Sequence, residues 1–264
     1  MKQIYLNMII LLLIFALLGC ARDQSVAGNS MESTVQLSTV PTVTETVIEP
    51  ITVPTEPEHS SLYFPELPVD DAIAYFNEVC LNAEIINSGD PAVIQKWTAP
   101  IRYQLHGDYT QEDLSVLSGF CDFLNDLEGF PGISQTDNGE NANLRIHFCT
   151  RDELVQILGD HFGDVDGGVT FWYQDDVIYD AVICIRTDVD QNTRNSVILE
   201  EIYNGLGPIQ DTDLRENSII YSGFSTPQDL SAVDRVILEL LYHPMITCGM
   251  DRNACEVVIR QLYY

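Results

Sequence analysis

Lysine is nearly absent from this chain. Lys2 and Lys96 are the only two, and 40 acids stand against 12 basic residues, for a formal net charge of -28. Binding a polyanion needs clustered Lys and Arg, so nucleic acid is excluded as a partner. No apolar run reaches the roughly 20 residues of a spanning helix. There is no Cys-x-x-Cys, which argues against thiol redox catalysis. There is also no Gly-x-Ser-x-Gly elbow and no phosphate-cradling glycine loop. The five histidines, His59, His106, His147, His161 and His243, include no pair at helical ligand spacing. What is present is a 264-residue chain, 45% hydrophobic, enough for one domain with appendages.

The first appendage is residues 1–19. Lys2 is followed by an apolar stretch from Ile4 to Leu18, broken by Asn7, and then by Gly19-Cys20. A charged start, a short apolar core and small residues at the end form the pattern of a secretory signal peptide. The Leu17-Leu18-Gly19-Cys20 ending resembles a bacterial lipobox. The resemblance implies cleavage before Cys20, lipid on its sulfur, and a cell-membrane location on the extracytoplasmic face. Each buried methylene contributes ~0.8 kcal/mol, so two or more acyl chains anchor stably. Residues 20–60 read as a Thr/Pro-rich disordered tether: Thr34, Thr39, Thr42, Thr44, Thr46, Thr52 and Thr55 alternate with Pro41, Pro50, Pro54 and Pro57. No period there lasts long enough to bury a face.

Residues 61–264 carry the folding signals. Helices are predicted over Asp70–Ile85, after Thr110-Gln-Glu-Asp113, after Thr150-Arg-Asp-Glu153, after Thr226-Pro227-Gln-Asp229 and after Asp251. Strands are predicted at Ile101–Leu105, Leu144–Phe148, Val169–Tyr173 and Val177–Ile185, with turns at Gly163–Gly168 and Gln174–Asp176. His147, opposite Ile146 and Phe148 in its alternation, is expected at the surface or on an edge. Intermixed helices and strands, with three helices last, predict an α+β domain with helices on one side of the sheet and a helical C-terminal part.

One predicted helix, Asn195–Leu206, invites a chemical reading. Ile198, Ile202 and Leu206 form its buried stripe. Glu200 and Asn204 share another face, with Glu201 beside it. On so acidic a protein an adjacent glutamate pair is ordinarily solvated surface. Aligned on Gly207, however, the stretch resembles the metzincin helix His-Glu-x-x-His-x-x-Gly-x-x-His. Glu201 falls at the catalytic glutamate, while Glu200, Asn204 and Gln210 fall at the three histidines. None supplies imidazole, and zinc sites favour nitrogen and thiolate donors.

The resemblance extends to Trp97-Thr-Ala-Pro100-Ile-Arg102, Asn143–Phe148, Asp211, Ser218-Ile-Ile, Asp234, Leu241-Tyr-His-Pro244 and Gly249-Met250. Together these look like the exported bacterial family catalogued as domain of unknown function 2927. That implies a zincin-like mixed sheet and leaves the activity open. Met250 would correspond to the methionine turn of metzincins.

Two readings use this helix, and a third, a purely structural surface protein, needs no cleft at all. The first is a lipid-anchored binding or accessory protein, probing peptide or cell-envelope material through Glu200, Glu201, Asn204 and Asp211, with no metal and no cofactor. The second is a hydrolase using Glu200 and Glu201, with an atypical non-zinc metal or none. Asp188-Val-Asp190-Gln-Asn192 begins like a calcium loop, but Thr193 and Leu199 stand where Gly and Glu are needed. Six cysteines follow Cys20; Cys248 and Cys255 flank a helix start and are the disulfide candidates. Cys80, Cys121, Cys149 and Cys184 are expected to act as small core hydrophobes.

Overall fold

A computed structural model describes residues 67–81, 92–137, 139–207 and 210–263. The expected signal peptide, Cys20, the tether, the domain's first residues and His59 lie outside the described residues. Six α-helices and six strands follow in the order α1 (Val69–Leu81), β1 (Lys96–Trp97), β2 (Ile101–Gly107), α2 (Gln111–Asn125), β3 (Ile133–Gln135), β4 (Leu144–Cys149), α3 (Arg151–Leu158), β5 (Gly167–Gln174), β6 (Val177–Arg186), α4 (Gln191–Gly205), α5 (Ala232–Tyr242) and α6 (Arg252–Leu262). The domain is mixed α/β.

β6 organises the sheet. It pairs in parallel with β4 along Ala181–Arg186 and with β1 at Val177–Ile178. β2 continues the parallel sheet beyond β4, and β3 ends it. On its other side β6 folds back on β5, the one antiparallel partner. Asp175 and Asp176 make that reversal possible: both adopt left-handed backbone (φ 51 and 62), as a tight two-residue hairpin requires.

Alternation along the strands assigns two faces. Ile146, Ile183 and Ile185 point into the main core, where they meet Ile198 and Ile202 of α4. Val182, Cys184 and Cys149 point the other way, under Leu154, Leu158 and Phe162. α3 therefore covers the opposite face from α2 and α4. This corrects the expectation of helices on one side. The short 150–162 segment bears only Leu154 as a fully buried side chain, so its period reads too weakly to assign it a layer.

Other differences have local causes. The capping boxes at Thr110 and Thr150 form as predicted, as does the Asp251 cap. The Thr226-Pro227 signature does not start a helix. Ser231 caps α5 instead, closing a box with Asp234, whose carboxylate also accepts from Ser218 Oγ and Ile219 N–H. Asp234 has no solvent exposure, so those buried bonds fix where the helix begins. The Gly163–Gly168 turn is shorter than expected, because Gly167 and Gly168 belong to β5. His147 is not on an edge strand: β4 lies between β2 and β6, and the ring stacks on cross-strand His106 at 4.5 Å.

Candidate functional site: the carboxyl cluster on α4

α4 begins four residues before the predicted helix. Asp190 caps it by accepting from Thr193 N–H, and the calcium-like segment is thus its lead-in. Asp188 is taken up by a two-bond pair with Arg186. The first turns are bolted to α2 through Arg194 Nε, which donates to Asp113 at 2.8 Å. Burial alone would raise the Asp113 pKa. Bonds from Thr110 N–H, Gln191 and Arg194 outweigh it and hold the carboxylate below its usual range.

The far end of α4 is held by side chains from elsewhere. Trp97 Nε1 donates to Gly205 O and Tyr242 Oη to Leu206 O, both at 2.8 Å. These carbonyls, which a helix C-terminus leaves without partners, are therefore satisfied. Gly207 turns the chain away at φ 133, where a Cβ would meet Gln95 O at 2.5 Å. Only glycine fits such a close approach.

Between these anchors α4 is buried on nearly every side. Val197, Leu199 and Tyr203 are covered as well as the predicted Ile198 and Ile202. Glu201 is only 7% exposed, so it is not part of a solvated face. It lies against β5, where a Cβ on Gly167 would come within 2.8 Å of Glu201 Cγ and 2.9 Å of Oε1. Gly167 is thus the cradle for this carboxyl. Its signal was the Gly-Gly pair, which sequence reasoning assigned to a turn.

Glu200, Glu201 and Asp211 form one electrostatic cluster. Burial, then Glu200 and Asp211, pushes Glu201 well above the ordinary carboxyl range. Burial, then Asp211 and Asp166, raises Glu200 to about 8. Burial raises Asp211 to about 6. The structure thus brings together three of the predicted site residues and adds Asp166, which sequence reasoning left as a turn residue. Asp166 also pairs with Arg186 at 2.9 Å. The fourth predicted residue, Asn204, lies one turn beyond Glu200, and its Oδ1 is buried with no hydrogen-bond partner. The same holds for Gln210 Oε1.

Zinc does not fit these residues. The three positions that would carry imidazole present carboxyl and amide groups, and among the described residues no three of His, Cys, Asp and Glu converge as metal ligands. The described histidines are engaged elsewhere. His106 and His147 stack on the opposite face of the sheet, His161 packs on Phe162, and His243 Nδ1 accepts from Met245 N–H. Met250 is partly buried against the core and its carbonyl accepts from Ile94 N–H. Cys248 and Cys255 carry free thiols. A groove of 590 Å³ lined by Tyr103, Ser115, Ser118, Asp122 and Gln135 belongs to α2, β2 and β3, not to α4.

Among the described residues, six helices and a mostly parallel sheet, with a carboxyl cluster on α4, define a mixed α/β protein. Residues 70–261 match the family described as "Protein of unknown function (DUF2927)", and the chain belongs to that family. No curated protein matches it. Several residues of the strings noted above hold one another in place. Asn143 bonds Arg102 N–H and Pro100 O, Tyr75 donates to Ser218, which donates to Asp234, and Trp97 and Tyr242 cap α4.

Proposed function

We propose that this is a lipid-anchored protein of the cell envelope, held by acyl chains on Cys20, whose zincin-like domain binds and does not hydrolyse. Three features support the zincin-like reading. α4 is framed by Glu201 and Gly207 at the motif's spacing. It packs under a mostly parallel sheet. That sheet has one antiparallel edge strand, β5, beside the glutamate. The ligand is peptide or cell-envelope material lying along β5 above α4. The protein's role is then recognition or assistance to another envelope component.

One observation carries the loss of hydrolysis: Glu201 is buried beside Glu200 and Asp211, which together raise its pKa well above the ordinary carboxyl range, and only oxygen donors stand at the ligand positions. A neutral carboxyl donates a hydrogen bond; it cannot take a proton from water. The test is metal analysis of the full chain purified with zinc supplied, alongside digestion of casein. The expected result is no stoichiometric zinc and no cleavage. Zinc bound one-to-one, with chelator-sensitive casein cleavage, would overturn the proposal. The anchor is tested separately: cells expressing the chain incorporate a palmitate analogue into it, and Cys20→Ala abolishes the label.

A second reading is favoured by the spread of acidities from Asp211 to Glu201. Environments that push carboxyls apart also create acid–base pairs, and on that reading the domain is a hydrolase using Glu200 and Glu201. It requires that Glu201→Gln abolish a turnover while leaving the fold intact.

A further inference from the structure

The β5–β6 hairpin carries aromatic side chains that the core does not use. Among the described residues eight large apolar side chains are exposed, and three of them, Trp172, Tyr173 and Tyr179, belong to this one hairpin. The register explains their arrangement. Trp172 pairs with Asp180 and Tyr173 with Ile178, which leaves Tyr179 as an extra residue in β6. At such a bulge two residues oppose one. Ile178 and Ala181 therefore both reach the main core, although they are three apart. Tyr179 and Asp180 come together opposite Trp172 on the sheet's other face. There α3 and Phe162 pack around Val182, Cys184 and Cys149, while Trp172 and Tyr179 stay exposed. Tyr173 points to the first face, beside Phe171.

Charge selects what these two rings can take. Asp180 is paired with Arg145 at 2.7 Å. Asp175 and Asp176, at the tip of the hairpin, make no ion pair with a described residue, and the whole chain carries -28. An anionic partner or an anionic bilayer is repelled, and a purely apolar partner would strip water from the tip acids without replacing it. A guanidinium suits both features, because it stacks on an aromatic face and pairs with a carboxylate. We propose that the Trp172–Tyr179 face of the hairpin, with Asp175 and Asp176 at its tip, is a docking surface for an arginine-rich segment of a partner protein. The two rings supply the central contacts, as Trp and Tyr do in protein interfaces. The acids steer the approach and set the sign of the partner. This surface goes beyond the reading of α4 and stands whether or not anything binds above Glu201.

Trp172 makes the surface observable. The chain has two tryptophans, and Trp97 is 2% exposed with its Nε1–H bonded to Gly205 O, whereas Trp172 is 43% exposed. The full chain is titrated with hexa-arginine at physiological ionic strength, where diffuse attraction is screened within ~8 Å. Trp172 emission reports contact, and the anisotropy of dye-labelled hexa-arginine gives the affinity of each variant. The expected result is saturable binding that alters Trp172 emission and is weakened about tenfold in Trp172→Ala and in Tyr179→Ala. Tyr173→Ala, on the other face, leaves the affinity unchanged. Asparagine keeps the left-handed turn of the tip, so Asp175→Asn with Asp176→Asn tests charge alone. That pair should weaken binding about fivefold, against less than about twofold for Asp122→Asn with Asp126→Asn, two exposed acids at the end of α2. Equal losses in the two double variants would mean diffuse attraction to an acidic protein and would overturn the proposal. So would an unchanged Trp172 emission, or tighter binding of an N-acetylglucosamine oligomer or of phosphatidylglycerol vesicles. A Trp172 signal that follows protein concentration alone would assign the face to a second copy of the chain and overturn it equally.

Discussion

A carboxyl that holds its proton through neutrality gives the folded chain a distinctive response to pH. Unfolded, Glu200 and Glu201 would ionise near 4.5 and Asp211 near 3.8; folded, Glu200 does so at about 8 and Asp211 at about 6. Over that interval the folded state binds more protons than the unfolded one. Stability therefore falls as pH rises from about 4 toward 8 and is greatest on the acid side. Lys96 acts in the opposite sense and in a different window. Burial, only partly offset by Cys248 and Cys255, lowers it from 10.5 to about 8, so its contribution rises with pH between those values. Glu201→Gln removes one buried acid at little cost in shape. Urea unfolding should find the variant more stable than wild type at pH 8 and closer to it at pH 5, because the buried acid costs stability only where the unfolded chain would ionise it. Equal curves at both values would mean that Glu201 ionises freely.

At the level of elements, legibility followed local chemistry. The boxes at Thr110 and Thr150 and the cap at Asp251 were readable because each is closed by residues three apart in the chain. The start of α5 was not. Thr226-Pro227 has the right composition, but Ser231 wins through Asp234, whose partners Ser218 and Ile219 are distant in sequence. The same limit hid the environment of Glu201. Its helix and its neighbours Glu200 and Asn204 were legible, whereas Gly167, at the start of β5, reaches it from far away in the sequence, as Asp166 just before that strand reaches Glu200. Two substitutions separate the caps. Ser231→Ala should cost about 1 kcal/mol, whereas Thr226→Ala should stay within about 0.5 kcal/mol. Denaturant midpoints read both; a larger loss at Thr226 would restore the predicted start.

Across the whole molecule, charge is spent unevenly. Among the described residues most acids are at least partly exposed, and a pair such as Asp70 with Arg260, 78% and 43% exposed, is well solvated. Removing it by Asp70→Ala should cost less than about 1 kcal/mol. Asp113 and Arg194 are different: their side chains are 0% and 9% exposed, and they join α2 to α4. Asp113→Ala leaves a guanidinium buried without its partner and should cost about 3–5 kcal/mol. Thermal unfolding of the two variants beside wild type checks the contrast, and comparable losses would show that the α2–α4 junction tolerates an unpaired charge.

The tail of α4 depends on residues far apart in the sequence. Trp97 precedes it by about a hundred positions, Tyr242 follows it by some thirty-five, and Lys96 Nζ binds Leu241 O and Ile246 O just beyond. A growing chain cannot satisfy the end of this helix until Tyr242 has been made. The carboxyl cluster would take shape only once these late residues have joined it. Truncated fragments lacking the last two helices would have its acids without the enclosure that governs their ionisation.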